Sequence, residues 1–244
     1  MRLRLVTNGI INPDGTTLAG IEIDMPRTTK TYWRVPGDTG LPTQLDFTGS
    51  TGIGEHMILW PYPTRHEADG FLDYAYFGPT LLPMSLEIAE GPAHIELDAV
   101  LGICSEICIP AQAHFSLPLA DGAPDRANGL RIRQAMAEWP LSWDGSQDMV
   151  GEVTVDEEAS MLEVKVSPDL DSASLIAATA PGEPLFGAPQ KSREPNLVLI
   201  PVLGADDPEQ LRGQDIEFTF KTDQGAFQLT RTVGEAPEGQ ARRD

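Results

Sequence analysis

Cysteine is nearly absent. The 244 residues contain two, Cys104 and Cys108, too few for a disulfide-rich scaffold or for a zinc site built on four cysteines. Basic residues are outnumbered, 17 Lys and Arg against 37 Asp and Glu, for a formal net charge of −20. Such a chain repels nucleic acid and anionic lipid, which argues against a nucleic-acid function. No apolar run approaches the roughly 18–20 residues of a membrane-spanning helix, and the opening MRLRLVTNGI lacks the apolar stretch of a signal peptide. The expectation is a soluble chain, or the mature part of an exported one.

What is plentiful is turn-forming residues, 23 Gly and 21 Pro, without collagen period or linker bias. Many short strands joined by turns use residues in this way. Asn12-Pro13-Asp14-Gly15 reads as a turn between two apolar strands, and Val35-Pro36-Gly37-Asp38 as a second, of type II. From residue 93 to 103, Ile95, Leu97, Ala99 and Leu101 alternate with His94, Glu96, Asp98 and Val100, the period of a strand with one wet face. HFSLPL (114–119) is its partner strand, and CSEICIPAQ (104–112) is the expected loop between them. DGAPDRANG (121–129) marks a domain boundary. LRIRQAMAEW (130–139) is the single helix expected, with Leu130, Ala135, Met136 and Trp139 on its apolar face and Pro140 ending it, as a strut between domains. Strand patterns return in MLEVKV, SLIAAT, NLVLIPVL, IEFTFKT and AFQLTRTV.

The fold class expected is all-β: two immunoglobulin-like sandwiches joined by a short helix. The boundaries are 1–122 for the first domain, 123–141 for the linker and helix, 142–236 for the second sandwich and 237–244 for a disordered tail.

Two thiols four residues apart close a disulfide only if the backbone turns tightly. The closed loop is so small that little unfolded-chain entropy is removed, and a structural staple serves better between distant strands. A short, loop-borne disulfide is the easier kind to reduce, which points to thiol–disulfide exchange. Glu106, between the cysteines, opposes thiolate formation. Two alternatives stay open. One is a local structural disulfide. The other is copper(I) bound by the soft thiolates with His94 and His114, which flank the pair.

TKTYWRVPGDTGLPTQLDF (29–47), RHEADGFLDYAYFG (65–78), LLPMSLEI (81–88) and LGICSEICIP (101–110), taken together, resemble the amino-terminal periplasmic domain of the thiol:disulfide interchange protein DsbD. The likeness is closest to the ScsB branch, named for suppression of copper sensitivity. It is strongest over residues 15–120, and the second sandwich suits the longer ScsB-type module.

The resemblance implies a periplasmic immunoglobulin-like domain without cofactor, whose Cys104–Cys108 disulfide takes electrons from a membrane-embedded thiol donor. It passes them to a thioredoxin-like or other oxidised partner, as a protein-disulfide reductase component would, with Cys108 as the sulfur to which partners join. Full-length members carry a membrane electron-transfer domain and often a thioredoxin-like one, so this chain is expected to be an excised module or a stand-alone protein with a separate donor. It also implies an acidic and aromatic loop capping the sulfurs. HEADGFLDY supplies Glu67 and Asp69 as the acids and Phe71 as the lid, with Gly70 interrupting the family's spacing and Tyr74 as the rival lid. The strand of Tyr32 and Trp33 is placed close to the disulfide by the same likeness.

Overall fold

The structure is a computed structural model that describes residues 1–89, 91–119, 124–145, 147–205 and 207–234. Strands dominate it, and the chain divides into two compact units, Met1–Trp139 and Pro140–Asp244. The expected tail at 237–244 lies outside the described residues.

The first unit is a sandwich of two antiparallel sheets. Its strands are β1 (Arg2–Ile11), β2 (Thr16–Asp24), β3 (Lys30–Gly37), β4 (Gln44–Asp46), β5 (Ile53–Ile58), β6 (Thr64–Ala68), β7 (Phe71–Phe77), β8 (Thr80–Ile88), β9 (Ala93–Cys104) and β10 (Cys108–Leu119). One sheet runs β1-β2-β8-β5 and the other β10-β9-β3-β7-β6, with β4 also paired to β9. The alternation expected along β9 is realised: Ile95, Leu97, Ala99, Leu101 and Ile103 are buried, as are Ile21, Leu82, Met84 and Leu86 of the other sheet. On β3 and β7 the inward aromatics Trp33 and Tyr74 meet edge to face at 5.8 Å. That is a geometry aromatic pairs favour.

Asn12-Pro13-Asp14-Gly15 forms the turn expected, closed by the Asn12 N–H donating to Thr16 O at 2.7 Å. The second expected turn does not form. Pro36 and Gly37 stay in β3, where the pairing with β7 slips between Tyr32 and Gly37. Gly37 takes φ +94°, and a Cβ there would lie 2.2 Å from Leu72 O. Pro-Gly chemistry here makes a bulge inside a strand, because left-handed Gly serves a bulge as well as a turn.

α1 (Arg126–Met136) starts four residues earlier than its apolar spacing suggests. Asp125 caps it, its side chain accepting from the Asn128 N–H at 2.9 Å, and its own N–H donates to Asn8 O. The buried face is Gly129 and Ile132, while Leu130 is 63% exposed. The helix packs on β1, β2 and β8, as part of the first unit.

The second unit comprises β11 (Leu141–Ser142), β12 (Val150–Asp156), β13 (Met161–Val166), β14 (Ile176–Ala178), β15 (Leu185–Phe186), β16 (Gln190–Lys191), β17 (Leu197–Leu203), β18 (Asp215–Thr222) and β19 (Gly225–Thr232). Its sheets run β11-β19-β18-β14 and β12-β13-β17-β15, with β16 added to β17. Val155, Leu162, Val164, Ile200, Phe218 and Phe220 form the core, and Trp143 packs edge to face on Phe220 and Phe227. Both units are thus all-β, as the alternating patterns require.

Candidate functional site

β9 and β10 pair without interruption from Ala93–Leu119 to Cys104–Cys108, so the loop expected over 104–112 shrinks to Ser105, Glu106 and Ile107. The two cysteines face each other across the end of the hairpin, with Cα atoms 4.1 Å apart, and are joined as a disulfide. That separation is close to the roughly 4.5 Å of a non-hydrogen-bonded antiparallel pair, where side chains approach most nearly. A spacing of four therefore does what a tight loop was expected to do.

The two sulfurs are not equivalent. Cys104 is 1% exposed and belongs to a small buried cluster with Tyr32 and Ala75. Cys108 is exposed, as are Ile107 at 76% and Ile109 at 52%. The exposed cysteine is thus flanked along the chain by two exposed apolar side chains.

Tyr32 reaches it. Lys30 pairs with Cys104 on the neighbouring strand, and Tyr32, two residues on, shares the Lys30 face of β3. Its hydroxyl oxygen lies 3.4 Å from Cys108 Sγ. A disulfide sulfur carries no proton, so the hydroxyl donates. The ring is clasped on both edges by glycines. A Cβ on Gly40 would lie 2.6 Å from Tyr32 Cδ1, and one on Gly102 would lie 3.0 Å from Cδ2 and 2.7 Å from Leu41 Cβ. Burial pushes the Tyr32 phenol above its usual value, so it stays protonated at neutral pH.

The loop after β3 is pinned over this ring. Asp38 N–H donates to Leu72 O at 2.8 Å, and Leu72 N–H donates to the Asp38 carboxylate at 2.7 Å. Asp73 accepts from Lys30 Nζ at 2.6 Å, Thr39 Oγ1 at 2.6 Å and Thr39 N–H at 2.9 Å. Burial raises the Asp73 carboxyl, but the hydrogen bonds from Lys30 and Thr39 outweigh it and hold it below the usual value.

The other expected site residues are placed as follows. Glu106 is exposed in the hairpin turn between the cysteines. Asp69, at φ +54°, and Gly70 form the two-residue tip of the β6–β7 hairpin, with Glu67 exposed on β6 opposite Leu72. Phe71 begins β7 at that tip, 53% exposed, two residues from Asp73 on the same face. Tyr74 and Trp33 lie on the opposite face, in the core, and Trp33 carries the Arg34 guanidinium 4.6 Å from its ring centre.

The two histidines do not join the cysteines. His114 is six residues along β10 from Cys108 and His94 ten along β9 from Cys104, about 20 and 33 Å at strand rise. They gather instead around Glu96: His94 Nε2 is 2.8 Å from Oε1 and His114 Nε2 is 3.1 Å from Oε2. The copper set of two cysteines and both histidines is therefore corrected, since extended strands hold its halves apart.

Sequence reasoning missed Lys30, Thr39 and Asp73. Tyr32 and Lys30 share a face by the period of two, but Asp73 is 43 residues from Lys30 and only strand register joins them.

Residues 6–120 match the family described as "Thiol:disulfide interchange protein DsbD, N-terminal". No curated protein sequence matches the chain. Among solved structures, the chain is similar to the N-terminal periplasmic domain of ScsB from Proteus mirabilis, at 19% identity over 96% of this chain and 93% of that one, with a TM-score of 0.72. The fold of both units is thus shared with that protein. Among the described residues no helix is long and apolar enough to cross a membrane. With a cysteine pair closing the β9–β10 hairpin inside the matched span, residues 6–120 belong to the DsbD N-terminal domain family, as a thiol:disulfide interchange module.

Proposed function

We propose that this chain is a periplasmic electron carrier that accepts two electrons from a membrane-embedded or other dithiol donor and passes them to an oxidised downstream partner. The observation that carries this reading is the asymmetry of the pair: an exposed Cys108, between the exposed Ile107 and Ile109, and a buried Cys104.

A donor thiolate attacks Cys108 Sγ. As that bond forms, the Sγ–Sγ bond breaks and its electron pair leaves on Cys104, which takes up a proton. The donor's second thiolate then attacks the donor sulfur of the mixed disulfide, releasing Cys108 as a thiolate and the donor as a disulfide. In the return half, the Cys108 thiolate attacks a substrate disulfide and Cys104 resolves the product. The apolar side chains of Ile107 and Ile109 give a partner something to bury while the sulfurs exchange.

Phe71 acts as the cap, with Asp69 at the same β6–β7 hairpin tip and Glu67 one pair along on β6; register sets it about 20 Å along β7 from the level of Cys104, so the hairpin bends toward the pair to cover it. Phe71→Ala is expected to speed alkylation of the reduced cysteines, and equal rates in parent and variant remove the lid.

The deciding experiment is the reduction potential, obtained by equilibrating the chain in thiol buffers and counting free thiols. A value of about −120 to −270 mV supports exchange, and one below about −300 mV means a structural staple.

A further inference from the structure

Three side chains that the exchange chemistry does not itself require, Lys30, Asp73 and Thr39, meet on the side of Tyr32, whose hydroxyl contacts Cys108. Lys30 and Asp73 form an ion pair whose side chains are 13% and 4% exposed. Such a buried pair is a weak source of stability, because desolvating both ions offsets most of their attraction. Its geometry is more telling. The Lys30 ammonium stands 5.5 Å from the centre of the Tyr32 ring, while Thr39 gives both its hydroxyl and its N–H to Asp73. An ammonium has only donors to offer, so the single phenolic proton is turned away from it. The hydrogen bond the phenol makes is to Cys108 Sγ, at 3.4 Å.

We propose that Lys30, held by Asp73 that Thr39 in turn fixes, is the positioning residue that aims the Tyr32 O–H at Cys108 Sγ and thereby stabilises Cys108 as a thiolate. The inference rests on the exchange reading for its purpose. When the donor's second thiolate breaks the mixed disulfide, the electron pair leaves on Cys108 Sγ, and the Tyr32 hydroxyl receives that charge as a hydrogen bond without giving up its proton. Asp73 holds Lys30 and Thr39 in place, and Lys30 orients the phenol. The same contact keeps more of the reduced pair in the attacking form for the return half.

The test uses the full chain carrying Cys104→Ser, so that one thiol is titrated. The pH profile of its alkylation by iodoacetamide is measured. Tyr32→Phe is expected to raise the midpoint by roughly one pH unit, the worth of one hydrogen bond to a charged group. Lys30→Met with Asp73→Asn, which removes the ion pair without stranding a buried charge, raises it in the same direction. Adding the pair of changes to Tyr32→Phe moves it no further. Lys30→Arg keeps the parent midpoint, which a merely structural role would not require. Thr39→Val carries the test if the double change fails to fold.

An unmoved midpoint in Tyr32→Phe overturns the proposal, and so does an equal shift from the Lys30/Asp73 change when Tyr32 is already phenylalanine. The reduction potential of the unmodified pair is read separately. A structural value together with the expected midpoint shifts supports the positioning and refutes only the exchange reading.

Discussion

Removing the Asp73 carboxylate strands a cation. Asp73 is 3% exposed and accepts three hydrogen bonds, two from Thr39 and one from Lys30, whose ammonium is itself nearly buried. Asp73→Ala leaves that ammonium desolvated and unpaired, a loss of about 3–5 kcal/mol. With a urea slope of about 2 kcal/mol per molar, the midpoint falls by about 1.5–2.5 M. The two units need not unfold together, so the transition is followed by hydrogen exchange at peptides of the first unit. Lys30→Met with Asp73→Leu removes both charges, and Thr39 alone loses its acceptor, so this pair costs only about 1–2 kcal/mol.

The pH dependence has a definite sign. The folded Asp73 carboxyl sits below its ordinary 3.8, so its stabilisation is present above that value and is lost as the pH falls through the lower folded one. The gap between parent and Asp73→Ala therefore narrows below pH 3.8. A loss under about 1 kcal/mol, the worth of a surface pair, or a double variant as unstable as the single one, refutes the reasoning.

Gly102→Ala places a methyl 2.7 Å from Leu41 Cβ. It is expected to cost about 1–3 kcal/mol by overpacking and to speed hydrogen exchange over residues 38–43, while unchanged exchange there would mean that the loop does not rest on Gly102. His114, bonded to Asp98 and near Glu96, is held above its ordinary 6.5. The contribution of this contact is present below that value and lost as the pH rises through the folded one, so His114 should titrate in NMR above 6.5 and drop toward it in Asp98→Asn. A drop absent from that variant would show that Asp98 is not the cause. Copper(I) uptake by the reduced pair, if any occurs, is expected to be the same in parent and in the variant with His94→Ala and His114→Ala, and a reduced stoichiometry would bring the histidines back into the site.

The strands of the hairpin were legible because Ile95, Leu97, Ala99 and Leu101 alternate with polar residues, and alternation fixes both strand and face. The cysteines are legible as a disulfide-forming pair from scarcity and spacing, but the loop between them is shorter than its sequence suggests, since Pro110 sits on an edge strand that needs no N–H there. Pro36-Gly37 suited a turn and a bulge equally, and only pairing with β7 decides between them. The helix began early because a capping aspartate, unlike an apolar stripe, acts through one hydrogen bond. Lys30 and Asp73 could not be joined by reading along the chain, because Lys30 is level with Phe77 and Asp73 with Gly37 across the bulge, and only the folded side chains bring the two together.

One exposed sulfur beside one buried sulfur also constrains the order of events. Under the exchange proposed above, a carrier with a single doorway cannot hold its supplier and its customer together: whichever partner is bonded to Cys108 excludes the other. Turnover between them then alternates strictly, and with both present in excess each inhibits the other by occupying the same atom. The traffic through such a domain is limited by how fast each visitor departs.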